Sequence, residues 1–351
     1  MRSIESKDLL IVAGSIAAGA VASIALFRSR SPDLAGRVVL ITGGSRGLGL
    51  ALAREFAAEG CWIAICARDA GELAAAREDL EGRGAEVFAT ECDVSDRSQV
   101  EAMVDRVSAR FGRVDILVNN AGEIQVGPVE SMAMEDFERA MQVMFWGTVY
   151  PTMALLPHFR GRSEGPAPRI VNITSIGGKV AVPHLLPYTC AKFAAVGFSE
   201  GLRAELAGKG VKVVTIAPGL MRTGSHLNAW FKGDADREAT WFSLGAATPG
   251  ISMNAERAAR QIVAAASRGD AEKILTTSAN VLARIHGMFP GVTADVLGLV
   301  SRLVLPAGNG VDAKRGSETR ALQSPWLSLL TVLGRMAARK FLQRPEQPAT
   351  A

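Results

Sequence analysis

The sequence predicts a doubly wound α/β fold, a parallel sheet of about seven strands with helices on both faces, followed by a helical C-terminal extension. Three observations point there. Short β-rich apolar runs alternate with longer helical stretches, the first of these runs leads into a glycine-rich turn and a helix, and the 351-residue composition, 48% hydrophobic and 21% charged, is globular. The strands are expected at Val38–Thr42, Trp62–Ala67, Glu86–Thr90, Asp115–Asn119, Arg169–Ser175, Lys212–Ala217 and Lys273–Thr276. Their nearly unbroken apolar character is what a sheet covered on both faces requires. Helical stretches separate them near Leu48–Glu59, Gly71–Glu81, Ser98–Arg110, Met134–Pro157, Tyr188–Ala207 and Asn254–Ser267.

Ahead of this array, Leu9–Phe27 is 19 residues without a charge, long enough as a helix to cross a bilayer. Arg28 and Arg30 follow it, which by the positive-inside bias places the main domain in the cytoplasm, anchored to the membrane. A cleaved signal peptide ending near Ala20-Val21-Ala22 and a buried core helix are the competing readings. The expected division is an anchor at 1–30, a catalytic domain at 34–280 and a helical extension at 281–351.

Within the domain, Ser163–Pro168 reads as a surface loop and Met221–Gly250 as a long excursion of the kind that forms lids. Beyond it, Val281–Pro306 is apolar with a break at Phe289-Pro290-Gly291, suggesting two short helices that cover the crevice, form a subunit interface or sit on a membrane. The tail Val311–Ala351 holds seven basic and three acidic residues, which equals the whole net charge of +4. Trp326, Leu329, Leu330, Leu333, Met336, Ala337 and Phe341 recur there at helical spacing among Arg335, Arg339 and Lys340. That is either a basic amphipathic helix on an anionic membrane or a helix packed on the domain. Charge this modest, without an aromatic platform, argues against nucleic acid. Cys61, Cys66, Cys92 and Cys190 contain no Cys-x-x-Cys pair, and His158, His184, His226 and His286 lack ligand spacing, so neither a disulfide framework nor a metal is expected.

The turn after the first strand reads Gly43-Gly44-Ser45-Arg46-Gly47-Leu48-Gly49. Glycines at such positions allow the tight turn, the close approach of a diphosphate and tight helix–strand packing, while the helix N-terminus offers N–H donors. No Lys-Ser or Lys-Thr follows, which disfavours a nucleoside-triphosphate loop. After the second strand, Arg46 and Arg68 suit a ribose 2′-phosphate and Asp69 suits a free 2′-hydroxyl; the residue types slightly favour the phosphate. Further on, Ser175 ends a strand, and Tyr188 and Lys192 stand four residues apart on one helix face, where an ammonium lowers a phenol's pKa and readies it for proton transfer.

Together, Thr42-Gly43-x-x-x-Gly47-x-Gly49, Asn119-Asn120-Ala121-Gly122, Ser175, Tyr188-x-x-x-Lys192, and Pro218-Gly219 with Thr223 resemble the short-chain dehydrogenase/reductase family. The resemblance runs from about Leu34 to Thr277 and fits the single-domain branch, with a Rossmann-like fold. It implies NAD(P)-dependent carbonyl–alcohol interconversion, with Tyr188 as general acid/base, Lys192 tuning it and binding the nicotinamide ribose, and Ser175 orienting the substrate. By the same resemblance Gly43, Ser45, Arg46, Gly47, Leu48, Gly49, Asn120, Ala121, Gly122, Pro218 and Gly219 bind cofactor, Asp93-Val94 flank the adenine and Thr223 sits near the nicotinamide amide. Ala67 occupies the place of the NAD-selecting acid and Arg68 follows it, which moves Asp69 aside and implies NADP(H) over NAD(H). A homo-oligomer is also implied.

One position departs from the pattern. The family's active-site Asn, which holds a relay water, corresponds to Met144, whose thioether is at best a weak acceptor. An NADPH-binding sensor or scaffold of low activity is therefore the alternative to an enzyme. Ile124, Val126, Val182, Leu185, Leu186, Leu220, Leu227, Trp230, Phe231, Trp241 and Phe242 are expected to offer an apolar substrate pocket, with some of them ordinary core.

Overall fold

A computed structural model describes residues 34–160, 165–324, 327 and 331–343. The Leu9–Phe27 segment, Trp326 and the last residues of the tail lie outside the described residues. From Leu34 onward the chain forms one compact unit.

Its centre is a seven-stranded sheet of β1 (Val38–Thr42), β2 (Trp62–Ala67), β3 (Val87–Glu91), β4 (Ile116–Asn119), β5 (Arg169–Ile173), β6 (Lys212–Ala217) and β7 (Glu272–Ile274). The order is β7-β6-β5-β4-β1-β2-β3, and every pairing is parallel. The chain reverses its direction of winding between β1 and β4, and there the carboxyl ends of the strands open a crevice. Alternation along β1 feeds two cores. Val39 and Ile41 join the core under α1 (Gly47–Ala58), α2 (Ala70–Glu81) and α8 (Ala255–Arg268). Val38 and Leu40 join the core under α3 (Arg97–Phe111) and α5 (Gly147–Arg160). A buried amide and hydroxyl chain ties the strands together where no apolar contact does. Asn119 Nδ2 donates to Asn172 Oδ1 at 2.9 Å and to Thr152 Oγ1 at 3.0 Å, and Asn172 Nδ2 donates to Ser199 Oγ at 2.9 Å.

Several boundaries differ from the sequence reading. The third strand starts one residue later, and the last stops at Ile274, because Thr276 takes a positive φ of 74° and caps the next helix through its hydroxyl. The single helix expected over Met134–Pro157 is three pieces: α4 (Met134–Ala140), a π-helical turn Met141–Trp146, and α5. Gly147, at the joint, sits so close to Val94 that a Cβ there would lie 2.7 Å from Val94 Cγ2. The excursion after β6 carries its own helix, α7 (Ala235–Ala247), and follows α6 (Leu186–Glu205) in the chain.

After β7 come α9 (Thr277–Met288) and α10 (Pro290–Val304), broken where the Phe289-Pro290-Gly291 signal lies. The last described helix is α11 (Val332–Lys340). Its Ala338 and the following Phe341 are buried in the protein, so this stretch packs on the domain, while Leu333 and Met336 stay exposed. Among the described residues no helix is long and apolar enough to cross a membrane, and no cluster of side chains could hold a metal ion.

Candidate active site

The crevice is a cavity of about 480 Å³. All the residues named above as cofactor-binding or catalytic line it, from Gly43 on the first loop to Thr223 on the sixth.

The β1–α1 loop forms its floor, and its glycines answer to steric demands. Gly43 has a φ of 62°, and a Cβ there would lie 2.9 Å from Ala121 Cα; at Gly49 it would lie 2.0 Å from the Gly43 carbonyl oxygen. Thr42 Oγ1 accepts from the backbone N–H of Asn120 and Ala121 at 3.0 and 3.1 Å, and Asn120 Nδ2 donates to the carbonyls of Thr42 and Gly43. The loops after β1 and β4 are thus one braced unit. No side chain caps α1, and its first residues, Gly47, Leu48 and Gly49, line the cavity. A helix end of this kind beside cations fits the diphosphate of a dinucleotide.

At the adenosine end, Arg46 pairs with Glu72 at 2.6 Å and Arg68 lies 4.0 Å from Asp93. Ser45 Oγ also donates to Glu72 at 3.0 Å. Asp69 also lines the cavity, with its carboxylate accepting the Glu72 N–H at 2.7 Å as the N-cap of α2. Glu72 had no spacing signal in the sequence. Its place beside Arg46 depends on α2 lying next to the loop.

At the other end, Ser175 follows β5 and accepts the Gly177 N–H at 3.0 Å, and its hydroxyl lies beside the Tyr188 ring, both within 3.4 Å of where a Cβ on Gly177 would stand. Lys192, one turn along α6, donates to the Ile173 carbonyl at 2.9 Å, with its ammonium 5.8 Å from the Tyr188 ring centre. Burial pushes the Tyr188 phenol above its usual value, the Ser175 hydroxyl opposing it, and the lowering expected from the ammonium is not seen here. Burial also lowers Lys192 to about 8. At neutral pH, then, the phenol holds its proton and the amine its charge.

Met144 is 1% exposed in the π-helical turn and packs with Ala191 and Tyr188. A Cβ on Gly122 would lie 3.8 Å from both Met144 Sδ and Lys192 Nζ, so the thioether and the ammonium share one small space. That side of Lys192 is apolar.

The roof over the catalytic end is apolar too. Ile124, Val182, Leu185, Leu220, Trp241 and Phe242 line the cavity, whereas Val126 and Phe231 are core, Leu186 is exposed, and Trp230 stacks under Arg315 instead. His184 and His226 belong to the scaffold of this roof. His184 Nδ1 lies 2.7 Å from Glu238, whose other oxygen accepts the Trp241 Nε1–H at 2.6 Å. His226, buried and shifted down to about 4, is neutral beneath α11. This brace went unseen in the sequence, because its members are 54 positions apart with no shared period.

Fold and crevice together define a nucleotide-binding oxidoreductase. The family profile described as short chain dehydrogenase matches residues 37–230, and the chain belongs to the short-chain dehydrogenase/reductase family. It is 38% identical to a dehydrogenase/reductase SDR family protein 7-like protein of Anopheles gambiae, covering 69% of this chain and 75% of that one. It is 37% identical to the putative oxidoreductase SadH of Mycobacterium tuberculosis, covering 72% and 91%. A Burkholderia phymatum short-chain dehydrogenase/reductase solved in complex with NAD superposes with a TM-score of 0.67 at 24% identity, covering 74% of this chain and 96% of that one. The protein is a short-chain NAD(P)-dependent dehydrogenase/reductase.

Proposed function

We propose that the enzyme interconverts a carbonyl and an alcohol on a hydrophobic substrate, lipid-like, steroid-like or long-chain, with NADP(H) as cofactor and Tyr188 as general acid/base. The observation that carries this reading is the convergence of the Tyr188 phenol, the Ser175 hydroxyl and an apolar roof at one end of the cavity whose other end holds Arg46 and Arg68. The bound nicotinamide supplies or accepts the hydride. In the reductive direction Ser175 holds the carbonyl oxygen and Tyr188 gives that oxygen its proton. The Lys192 ammonium steadies the phenolate left behind, which solvent reprotonates. Arg68, half exposed at the rim, is placed to meet a 2′-phosphate.

A panel of long-chain and steroidal ketones and aldehydes, tested with NADPH and NADH in parallel, checks this. Arg68→Ala is expected to weaken NADPH at least tenfold and NADH little, as the loss of one charged hydrogen bond predicts. Equal losses would overturn the 2′-phosphate role. The buried Met144 thioether, which packs with Tyr188 where the family has its relay Asn, supports the second reading, a sensor or scaffold. Tight NADPH binding without turnover of any carbonyl would favour it.

The enzyme's place at a membrane is part of the proposal. Val281, Ile285 and Met288 on α9 and Val292, Val296, Leu299 and Leu303 on α10 stand at helical spacing, 44–71% exposed. Two stripes meeting at an exposed Phe289 make an apolar face of the kind that enters a bilayer interface, and the chain carries the uncharged Leu9–Phe27 segment that would hold it there. Because residues from Leu34 on form their own compact unit, protein lacking residues 1–33 is expected to float with liposomes and to stop doing so as Val296→Glu/Leu299→Glu. Flotation unchanged by the pair would sink the assignment.

A further inference from the structure

The end of the described chain returns to the cofactor loop. The Phe341 carbonyl accepts the Gly47 N–H at 2.9 Å. The Phe341 side chain is 2% exposed in the core beneath α1, with the Arg54 guanidinium 5.5 Å from its ring centre. Arg54 Nη1 donates to the Lys340 carbonyl at 2.9 Å, and Lys340 pairs with Glu256 on α8. Gly224, at a φ of 81°, sits so close to α11 that a Cβ there would lie 2.4 Å from Ala338 Cα. This segment is seated by side chains and backbone alike.

Gln343 follows immediately. Its Oε1 accepts from Asn228 Nδ2 at 2.6 Å, which leaves its amide nitrogen facing the loop. There Nε2 lies 2.5 Å from the position of a Cβ built on Gly47, and the side chain lines the cavity beside Ser45, Arg46 and Gly47. An α-helix presents free N–H groups over its first turn, and these are the donors an anion meets. Here the Gly47 N–H is already taken by Phe341, and the Gln343 carboxamide brings two further hydrogens to the same spot.

We propose that Gln343 is a cofactor-binding residue, its amide NH₂ donating to the diphosphate of the bound dinucleotide, with Phe341–Gln343 as a wall of the site. The proposal rests on the cavity being the NAD(P) site. Because the diphosphate is common to both nucleotides, Gln343 acts on NADPH and NADH alike, unlike Arg68.

The test is equilibrium binding of NADPH and of NADH to the full chain without substrate, followed by nucleotide fluorescence, for wild type, Gln343→Ala and Gln343→Glu. Gln343→Ala is expected to weaken both nucleotides by the same factor, about tenfold. Gln343→Glu is expected to weaken them further, and its extra loss should shrink as salt is added, because a carboxylate then opposes the phosphates. A residue that merely held the strap in place would lower thermal stability without that charge and salt dependence. Wild-type affinity in both variants would overturn the assignment while leaving the cofactor site intact. Failure of the wild type to bind either nucleotide would overturn the site itself and this inference with it.

Discussion

Tyr188→Phe is expected to bind cofactor and fold as the wild type does while losing 10²- to 10⁴-fold or more in turnover, the usual worth of a positioned acid or base. The substitution removes one oxygen and keeps the ring, which packs with Met144 and Ala191. Ser175 keeps its bond to the Gly177 N–H, so the strand end does not rearrange. The size of the loss follows from the surroundings. The side of Lys192 toward Gly122 is filled by the Met144 thioether, and a neutral serine hydroxyl is too weak an acid to stand in. Burial keeps the phenol protonated, which is the form that donates. Single-turnover reduction with saturating NADPH isolates the step, and circular dichroism with a thermal melt confirms the fold. Turnover within threefold of wild type would remove Tyr188 from the chemistry.

The second large effect is at Gly49. A methyl there would stand 2.0 Å from the Gly43 carbonyl oxygen and 2.7 Å from Asn120 Nδ2, inside the contact that joins the loops after β1 and β4. To relieve it, either α1 withdraws or Asn120 gives up its bonds to the Thr42 and Gly43 carbonyls, at 3.0 and 3.1 Å. Gly49→Ala is therefore expected to cost about 3 kcal/mol of stability, overpacking plus unmet hydrogen bonds, and to abolish measurable cofactor binding. Gly197→Ala on α6 is the control. Nothing lies within 4 Å of a Cβ there, and helix propensity predicts a gain of about 0.5–1 kcal/mol. Urea midpoints measured side by side decide it; equal behaviour of the two variants would contradict the steric account.

The contrast between those two glycines shows what a sequence exposes. Gly49 was legible because its demand is local: a strand, a turn and a helix within a dozen residues, at a spacing that backbone geometry imposes. The seven strands were legible for the same kind of reason, since Val38–Thr42 or Lys212–Ala217 must be apolar on both faces to lie inside a parallel sheet. Tyr188, Lys192 and Ser175 were placed by their spacing and by resemblance. Met144 was visible as a departure, but the π-helical turn that carries it was not, since Met141–Trp146 has ordinary helical propensities and the close Gly147–Val94 approach at its end is a tertiary contact. Glu72, Asn228 and Gln343 carried no local signal. Glu72 and Gln343 reach the cavity, and Asn228 holds Gln343 there, through elements brought together by the fold, with partners 26 and 115 positions apart.

The return of the chain to its first βα turn also sets an order of assembly. Arg54 and Lys340 are 286 positions apart, so on the ribosome the glycine loop leaves the exit tunnel long before the segment that packs on it has been made. Contacts of such separation form late, because their loop-closure entropy is repaid only after the intervening core exists. During synthesis the nascent sheet holds an open-sided loop, and the pocket gains its last wall after residue 341 emerges. Dinucleotide therefore meets two successive species, a growing chain with one side missing and a finished one. Added nucleotide should protect the finished chain against proteolysis far better than stalled chains that end before α11.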